Sequence, residues 1–222
     1  MRFVLLNPNA SVEMTARMCA VAREAIGPGH TLDGHHNPDG PAAIRSAADN
    51  ALAVPGLLAL GARHLHRCDA AILGVSMDTA LGELRRQATI PVAGVTESAM
   101  LLGSQLGAPV GLITVGPDLV PLYRDLVRQY GLGSRLAGII GIEAPGAYGG
   151  ATDTSVADKL RDAVRTLHRA HGARVVVTVA AALCGYVNLR DTDVPLYDGI
   201  ACAALQVLAL ARLRQASLSS AG

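Results

Sequence analysis

The sequence predicts an α/β protein made of two pseudo-symmetric lobes, each a mostly parallel sheet flanked by helices, with a cleft between the lobes. Short apolar runs bounded by turn residues alternate with longer segments of helical period, which is typical of βαβ units. The halves also repeat one order of elements, because RFVLLNPN and VGLITVGP each predict a strand, a polar turn and a helix start. DAAILGVSMD and RVVVTVAAALC form a second such pair, in which a buried strand ends at a turn of small residues.

The strands are the short apolar runs, predicted near residues 2–6, 30–34, 69–75, 90–94, 109–114, 136–142 and 174–180. Helices are predicted where apolar side chains recur with the helical period, over 11–26, 42–66, 79–87, 96–106, 117–130, 154–171 and 196–214. The second helix contains Pro55, which lacks a backbone donor, so we expect an interruption there.

The predicted lobe boundaries place residues 1–97 with 200–222 in the first lobe and residues 98–199 in the second. The segment 95–108 between them is not linker-like in composition, so we expect the lobes to pack tightly. In open α/β sheets, ligands bind beyond the carboxyl ends of the strands. The turns that follow Leu6, Leu73, Thr114 and Val179 should therefore face one cleft, which is the predicted active site.

Composition excludes several classes of function. The 19 basic and 18 acidic side chains nearly cancel, and the chain has five Tyr, one Phe and no Trp, so nucleic-acid binding is not indicated. The first apolar run is too short for a signal peptide, and no apolar stretch is long enough for a membrane span. The four cysteines lack CxxC spacing. A cytoplasmic protein without membrane contact is predicted.

Four segments in order resemble segments of one family. NPNASVEMT resembles the NPN(T/S)SxxMT opening of the hydantoin racemases, and GPAAIRSAADNALAVPGLLAL resembles their GPxxIES segment with its following helix. PVAGVTESAM resembles PVxGxxEAA, and VPLYDGIACAA resembles the VPVIDGVAAA that begins the last helix. The chain thus resembles the aspartate/glutamate/hydantoin racemase superfamily over most of its length. The resemblance implies the two-lobed fold, a small-molecule substrate and a homo-oligomer.

The resemblance also implies two catalytic cysteines, which this chain lacks. In the family, one cysteine removes a proton from one face of the substrate's α-carbon and the other delivers a proton to the opposite face. The first belongs in a segment like ACFGDPGL, where LGVSMDTAL places Gly74 or Val75 at that position. The second belongs in GCAGM, where Ala180 of VAAAL stands. None of these side chains can accept or donate a proton. We therefore do not expect racemisation by the two-cysteine mechanism.

Hydroxyl groups follow the third predicted strand. Ser76 and Thr79, with the adjacent backbone N–H groups, can hold a carboxylate or a developing enolate. GVS also resembles the GTS turn of the superfamily's decarboxylases. The alternative interpretation is that Ser76 or Asp78 caps the next helix.

Candidates for handling a proton are Cys184, Asp78, Glu97 and Tyr186. Cys184 lies four residues beyond Ala180, about one helical turn, and Ala181 belongs to the same predicted pocket wall. A buried structural thiol is the alternative. For Glu97, the alternative is stabilisation of a helix start.

Asn7, Asn9 and Ser11 form the polar turn after the first strand, and the resemblance places them in the substrate pocket. Their alternative role is a helix-start signature, with Asn9 or Ser11 as the cap. Thr114 resembles the first threonine of the family's ITT site, whereas Val115 replaces the second.

Cofactors and metals are not indicated. The sequence has no P-loop, no GxGxxG after a strand and no GxSxG elbow. His35 and His36 are predicted in a solvent-facing loop, and adjacent histidines do not specify a metal site. The glycine-rich stretch PGAYGGATD places Tyr148 either on a flap over the cleft or on a plain surface turn.

Together these features predict a cofactor-independent enzyme of isomerase-like or lyase-like type. It would act at the acidic α-carbon of a small carboxylate or a hydantoin-like cyclic amide, without the two-cysteine mechanism. One alternative is a hydantoin or amino-acid racemase with substituted acid and base residues. Another is a catalytically inactive homologue that only binds the ligand.

Overall fold

The computed structural model describes residues 1–144, 154–186 and 192–219. Within them the chain forms two four-stranded parallel sheets flanked by helices, which confirms the predicted fold class. The first sheet contains β1 (Arg2–Asn7), β2 (Thr31–His36), β3 (Ala70–Leu73) and β4 (Val92–Ala93). The second contains β5 (Val110–Val115), β6 (Leu136–Ile142), β7 (Val175–Thr178) and β8 (Leu196–Asp198).

Seven α-helices connect or follow the strands in the described part of the chain. They are α1 (Val12–Ile26), α2 (Ala47–His64), α3 (Leu81–Gln87), α4 (Val95–Gly107), α5 (Val120–Gln129), α6 (Thr154–His171) and α7 (Gly199–Ser219). Local signals fix several ends: the Ser11 side chain accepts a hydrogen bond from the Met14 N–H at the start of α1, and Gly27, with φ of 79°, ends that helix. Ser46 caps α2 in the same way.

The two sheets share one topology. The strand order is β2-β1-β3-β4 in the first and β6-β5-β7-β8 in the second, and the register pairs all run parallel. The strands β3, β5 and β7 are buried along their whole length, because helices cover both faces, and their residues are accordingly mostly apolar. The internal repeat that the sequence predicted is therefore present in the fold.

One apolar core joins the two halves. Buried side chains form a single cluster from Leu5 in β1 through Val207 in α7 to Leu112 in β5. Helix α7 packs against both α1 and α4. The predicted tight packing agrees with this continuous core, while the predicted boundaries at residues 97 and 200 remain a prediction. Among the described helices, none is both long and apolar enough to span a membrane.

Four local predictions were wrong. Residues 196–198 form strand β8 rather than the start of the last helix, and they complete the second sheet beside β7. Helix α2 begins at Ala47 rather than at residue 42, because Ser46 caps it, and it continues through Pro55. A missing N–H removes only one bond of the helical ladder. His35 and His36 end strand β2, and the His35 ring stacks on His64. The stretch around Tyr148 lies outside the described residues.

Candidate active site

A small cavity lies at the carboxyl ends of the central strands of both sheets. Its volume is about 30 Å³, which is room for a water-sized group. Its lining is Asn9, Met14, Ala43, Ile44, Gly74, Val75, Ser76, Thr114, Val115, Leu119, Tyr123, Ala180, Ala181 and Ala182. An adjoining pocket of about 200 Å³ shares the walls Val115 and Leu119. The turns after β1, β3, β5 and β7 thus contribute to one chamber.

The cavity brings together half of the candidate site residues. Those that line it are Asn9, Gly74, Val75, Ser76, Thr114, Ala180 and Ala181. Those that do not line it are Asn7, Ser11, Asp78, Thr79, Glu97, Cys184 and Tyr186. The first group faces the cavity from the ends of the strands and the turns that follow them.

Ser76 is held on two sides. Its Oγ hydrogen-bonds to the hydroxyl of Tyr123, which is 1 % exposed. Its backbone carbonyl accepts a bond from Thr96 Oγ1 at the start of α4. Sequence reasoning missed Tyr123, because it lies on α5 of the other half, 47 residues along the chain. The signal was a tyrosine in the first turns of the helix that follows β5.

Thr114 is the residue before the last one of β5, and its side chain is fully buried. Its Oγ1 has no hydrogen-bond partner among the described residues, and the side chain lines the cavity. A buried hydroxyl without a protein partner is costly, so such a group commonly serves a ligand or ordered water. Thr114 is therefore a strong candidate for contact with a bound molecule.

The polar turn after β1 is mostly occupied by its own hydrogen bonds. Asn7 Nδ2 donates to Asn9 Oδ1 at 2.9 Å and to Thr15 Oγ1 at 2.8 Å, and Ser11 caps α1. Asn9 accepts from the Ser11 N–H, and among the described residues its Nδ2 meets only the Met14 sulfur, at 3.5 Å. Because sulfur is a weak acceptor, the Asn9 amide retains capacity to donate towards the cavity.

Asp78 caps a helix, but not the one that the sequence indicated. Helix α3 has Ala80 at its cap and no side-chain cap bond, so the expectation that Ser76 or Asp78 caps it was wrong. The Asp78 carboxylate instead accepts from the backbone N–H groups of Thr96 and Glu97 in α4, at 3.2 and 2.9 Å. Burial raises the pKa of Asp78 to about 6, although these bonds oppose the rise.

Cys184 lies away from the cavity, just after a short 3₁₀ turn. It is buried, and its Sγ contacts the carbonyl oxygen of Arg17 at 3.9 Å. Burial, followed by the nearby charge of Asp198, raises the pKa of the Cys184 thiol. Asp198 itself caps α7 by accepting from the Ile200 N–H. These contacts favour a structural thiol over a reactive thiolate.

Glu97 and Thr79 also have structural partners. Glu97 forms a two-point ion pair with Arg85, whose Nη1 donates to Oε1 at 3.0 Å. The Thr79 hydroxyl bonds to Asn50 Oδ1 in α2. The ion pair connects α3 to α4, and the Thr79 bond connects the turn after β3 to α2.

The cavity wall therefore consists of apolar side chains and neutral polar groups. In the described part of the chain, no carboxylate, imidazole or thiol lines it, and no group of three or more metal-ligating side chains occurs. Ser76, Tyr123, Thr114 and Asn9 can donate hydrogen bonds to an oxygen atom. Val75 lies two residues beyond the end of β3, and Ala180 lies two residues beyond the end of β7 in the other sheet. The arrangement suits the binding of a carbonyl, a carboxylate or an enolate oxygen.

Comparison with known proteins gives the family. The model of the Asp/Glu/hydantoin racemase family matches residues 4–207, so the chain belongs to that family. It is similar to the hydantoin racemase of Rhizobium meliloti, with 30 % identity over 95 % of this chain and 88 % of the relative. The hydantoin racemase of Paenarthrobacter aurescens is 26 % identical over 91 % of this chain and 88 % of its own.

Solved structures agree on the fold. Allantoin racemase from Klebsiella pneumoniae superposes with a TM-score of 0.88 at 26 % identity, covering 96 % of this chain and 89 % of that one. Arylmalonate decarboxylase superposes with a TM-score of 0.63 at 13 % identity, covering 95 % and 92 % of the two chains. The second likeness concerns the fold alone.

Proposed function

We propose that this protein is a cofactor-independent enzyme that acts at the acidic α-carbon of a small cyclic amide or carboxylate. The observation that carries the proposal is the cavity at the ends of β3 and β7, where hydroxyl groups converge on a buried space. Its likeness to hydantoin and allantoin racemases favours a hydantoin-like ring as the substrate. Such a substrate would bind with its carbonyl group towards the hydroxyls of Ser76, Thr114 and Tyr123.

The hydroxyl groups would stabilise an enolate. Ser76 and Tyr123 are already hydrogen-bonded to each other, and Thr114 has spare bonding capacity, so donors are positioned before the substrate arrives. Such preorganised donors lower the barrier because they need no rearrangement as charge develops on the oxygen. One donor of this kind is worth about 10²–10³ in kcat.

No cysteine of the described residues lines the cavity, so the substrate's α-proton would be transferred without a thiol. Gly74, Val75 and Ala180 line the cavity, and none of them has an ionisable side chain. By the resemblance, the family's two cysteines correspond to Gly74 or Val75 and to Ala180. Ser76 and Tyr123 share one hydrogen bond in which either oxygen can donate. An α-proton that is taken up by one hydroxyl is balanced by release of the other hydroxyl's proton to water, so this pair can relay a proton. An isomerase-like or lyase-like reaction at an already acidic carbon is consistent with such a site.

Space for a ring substituent is available beside the cavity. A ligand larger than a water molecule extends beyond 30 Å³, and the adjoining pocket of about 200 Å³ shares Val115 and Leu119 with the cavity. Arg45, Asp118 and Glu143 line that pocket, so its rim is charged. A polar substituent on the α-carbon fits this rim better than an apolar one.

A racemase with substituted acid and base residues is the second candidate, and the names of the relatives favour it. The two reactions differ in what happens to the carbon skeleton. Racemisation exchanges the α-proton with solvent and retains every carbon atom, whereas a decarboxylating lyase releases carbon dioxide. A protein that only binds the ligand does neither.

The test is NMR in heavy water with chiral hydantoins, allantoin, amino acids and substituted malonates, following α-proton exchange and carbon dioxide release together. Exchange without carbon loss identifies an isomerase, and carbon dioxide release identifies a lyase. Turnover of any substrate should fall about 10²–10³-fold in Ser76→Ala. Ser104→Ala is the matched control, since the Ser104 hydroxyl donates to the Met100 carbonyl within α4 and does not line the cavity. Absence of both reactions across the panel contradicts the proposal.

A further inference from the structure

Two tyrosines seven residues apart bind the turn that follows β3. Tyr123 lies in α5, and Tyr130 lies directly after its last residue, Gln129. Seven residues make about two helical turns, so both side chains leave α5 on one face. Tyr123 reaches Ser76 Oγ, and the Tyr130 hydroxyl donates to Asp78 Oδ2 at 2.8 Å. Helix α5 is thereby attached to the turn at both ends.

Helix α4 holds the same turn from the other side. The Asp78 carboxylate accepts from the Thr96 and Glu97 N–H groups, while Thr96 Oγ1 donates to the Ser76 carbonyl. The packing is close, because a Cβ added to Gly94 would lie 2.6 Å from the Asp78 Cγ. Residues 76–78 are therefore held between the start of α4 and both ends of α5. We call the contacts of Ser76 and Asp78 with Thr96, Glu97, Tyr123 and Tyr130 the clamp.

The turn needs such a clamp. Asp78 adopts a φ of 47°, in the left-handed region of backbone conformation that residues other than glycine rarely occupy. A conformation of this kind persists only where the surrounding contacts enforce it. The bond from Tyr130 and the two bonds from α4 supply that enforcement at the carboxylate, two residues from Ser76.

We infer that Tyr130 and Asp78 are positioning residues, whose hydrogen bond fixes the turn so that the Ser76 hydroxyl meets Tyr123 at the cavity. This inference rests on the proposed role of Ser76. Neither Tyr130 nor Asp78 lines the cavity, so both act through Ser76 and not on the substrate. A displacement of about 1 Å at a reacting group is enough to lower a rate roughly 10²-fold.

The charged groups around Asp78 give the clamp a pH dependence. Glu97 in α4 raises the pKa of Asp78, whereas the Tyr130 hydroxyl and the two α4 amides lower it, and Arg85 in α3 pairs with Glu97. Removing the Tyr130 hydroxyl must raise the Asp78 pKa further. Because the carboxylate form is the better acceptor for the α4 amides, protonation of Asp78 loosens the clamp.

The experiment compares Tyr130→Phe with the wild-type protein. The variant keeps the ring and removes the bond to Asp78. We expect kcat to fall about 10–10²-fold with KM nearly unchanged, and the acid limb of the rate profile to move to higher pH. Tyr197→Phe is the control, because Tyr197 is an exposed residue of β8, whereas the turn follows β3 of the other sheet. An unchanged kcat with an unmoved acid limb overturns the inference.

A double variant tests whether Tyr130 acts through Ser76. Adding Tyr130→Phe to Ser76→Ala should lower kcat no further, since the hydroxyl that the clamp positions is already absent. Independent, multiplying losses overturn the inference.

Two measurements need no substrate, so they separate the clamp from the proposed function. Carboxyl carbon NMR should show a higher Asp78 pKa in Tyr130→Phe than in the wild type. Hydrogen exchange at the amides of residues 76–78 should be at least about tenfold faster in the variant. If wild-type protein turns over nothing while both changes appear, the proposed function fails and the clamp stands. If turnover is present and neither change appears, the clamp fails.

Discussion

The buried carboxylate of Asp78 predicts that stability falls as the pH rises from about 4 to 6. In the folded chain, burial raises the pKa of Asp78 from 3.8 to about 6. Between these values the folded protein holds a proton that the unfolded chain has lost. The free energy of unfolding therefore decreases by about 1.4 kcal/mol for each step of one in pH across this window, or about 3 kcal/mol in all, and this contribution is constant above the window.

Asp78→Asn isolates this contribution, because asparagine resembles the protonated acid and does not titrate. Urea unfolding of both proteins, followed by circular dichroism at intervals between pH 4 and 7.5, gives the difference in unfolding free energy at each pH. The other carboxyl groups cancel in that difference. We expect the wild type to lose about 3 kcal/mol relative to the variant as the pH rises.

Two results would refute the reasoning. A difference that stays constant with pH would mean that Asp78 has the same pKa in both states. A wild type that gains stability with rising pH would mean that the two α4 amides and Tyr130 outweigh burial, so that the folded protein favours the charged carboxylate. Either outcome would also move the acid limb expected for the clamp down to about pH 4 or below.

Three further predictions concern the cavity. Thr114→Val should lower turnover about tenfold or more with little effect on folding, whereas Thr178→Val, the matched buried threonine whose Oγ1 bonds to a backbone carbonyl, should lower the melting temperature by about 2–4 °C and leave turnover unchanged. Activity assays and thermal melts decide, and equal activity losses would contradict the assignment. Val75→Cys combined with Ala180→Cys should accelerate hydantoin α-proton exchange about 10²-fold over either single variant, and no acceleration would mean that thiols at these walls do not face the α-carbon. Cys184→Ala should leave turnover within about threefold of the wild type, because the thiol lies off the cavity, and a loss of 10²-fold would identify Cys184 as an acid.

The sequence predicted most elements because their patterns are local. Buried strands of a doubly covered parallel sheet are short apolar runs, and the helices between them carry the helical period. Three of the four errors concern the ends of elements, and the fourth is Pro55 inside α2. Residues 196–198 directly precede α7, so their apolar character was attributed to the helix, although pairing with β7 makes them a strand.

The site was predicted in part for the same reason. Ser76, Thr114 and Ala180 lie at strand ends, and a parallel sheet brings those ends to one edge. Tyr123 was missed because a helix position does not reveal which distant turn its side chain reaches. Asp78 and Glu97 were recognised as polar groups near helix starts, but their partners in other elements were not predictable from neighbouring residues.

The sequence by itself determined the α/β fold with its repeated order of elements, the racemase-family resemblance, and the presence of Gly74, Val75 and Ala180 where the resemblance leads one to expect cysteines. Periodicity and strand-end chemistry carry that information, because each depends on residues close together in the chain. Only the tertiary structure decided which polar groups face the cavity and which are occupied elsewhere. In the folded chain, the Asp78 carboxylate accepts a bond from α4 and the Tyr123 hydroxyl bonds to Ser76. Such contacts depend on packing between segments that are far apart in sequence.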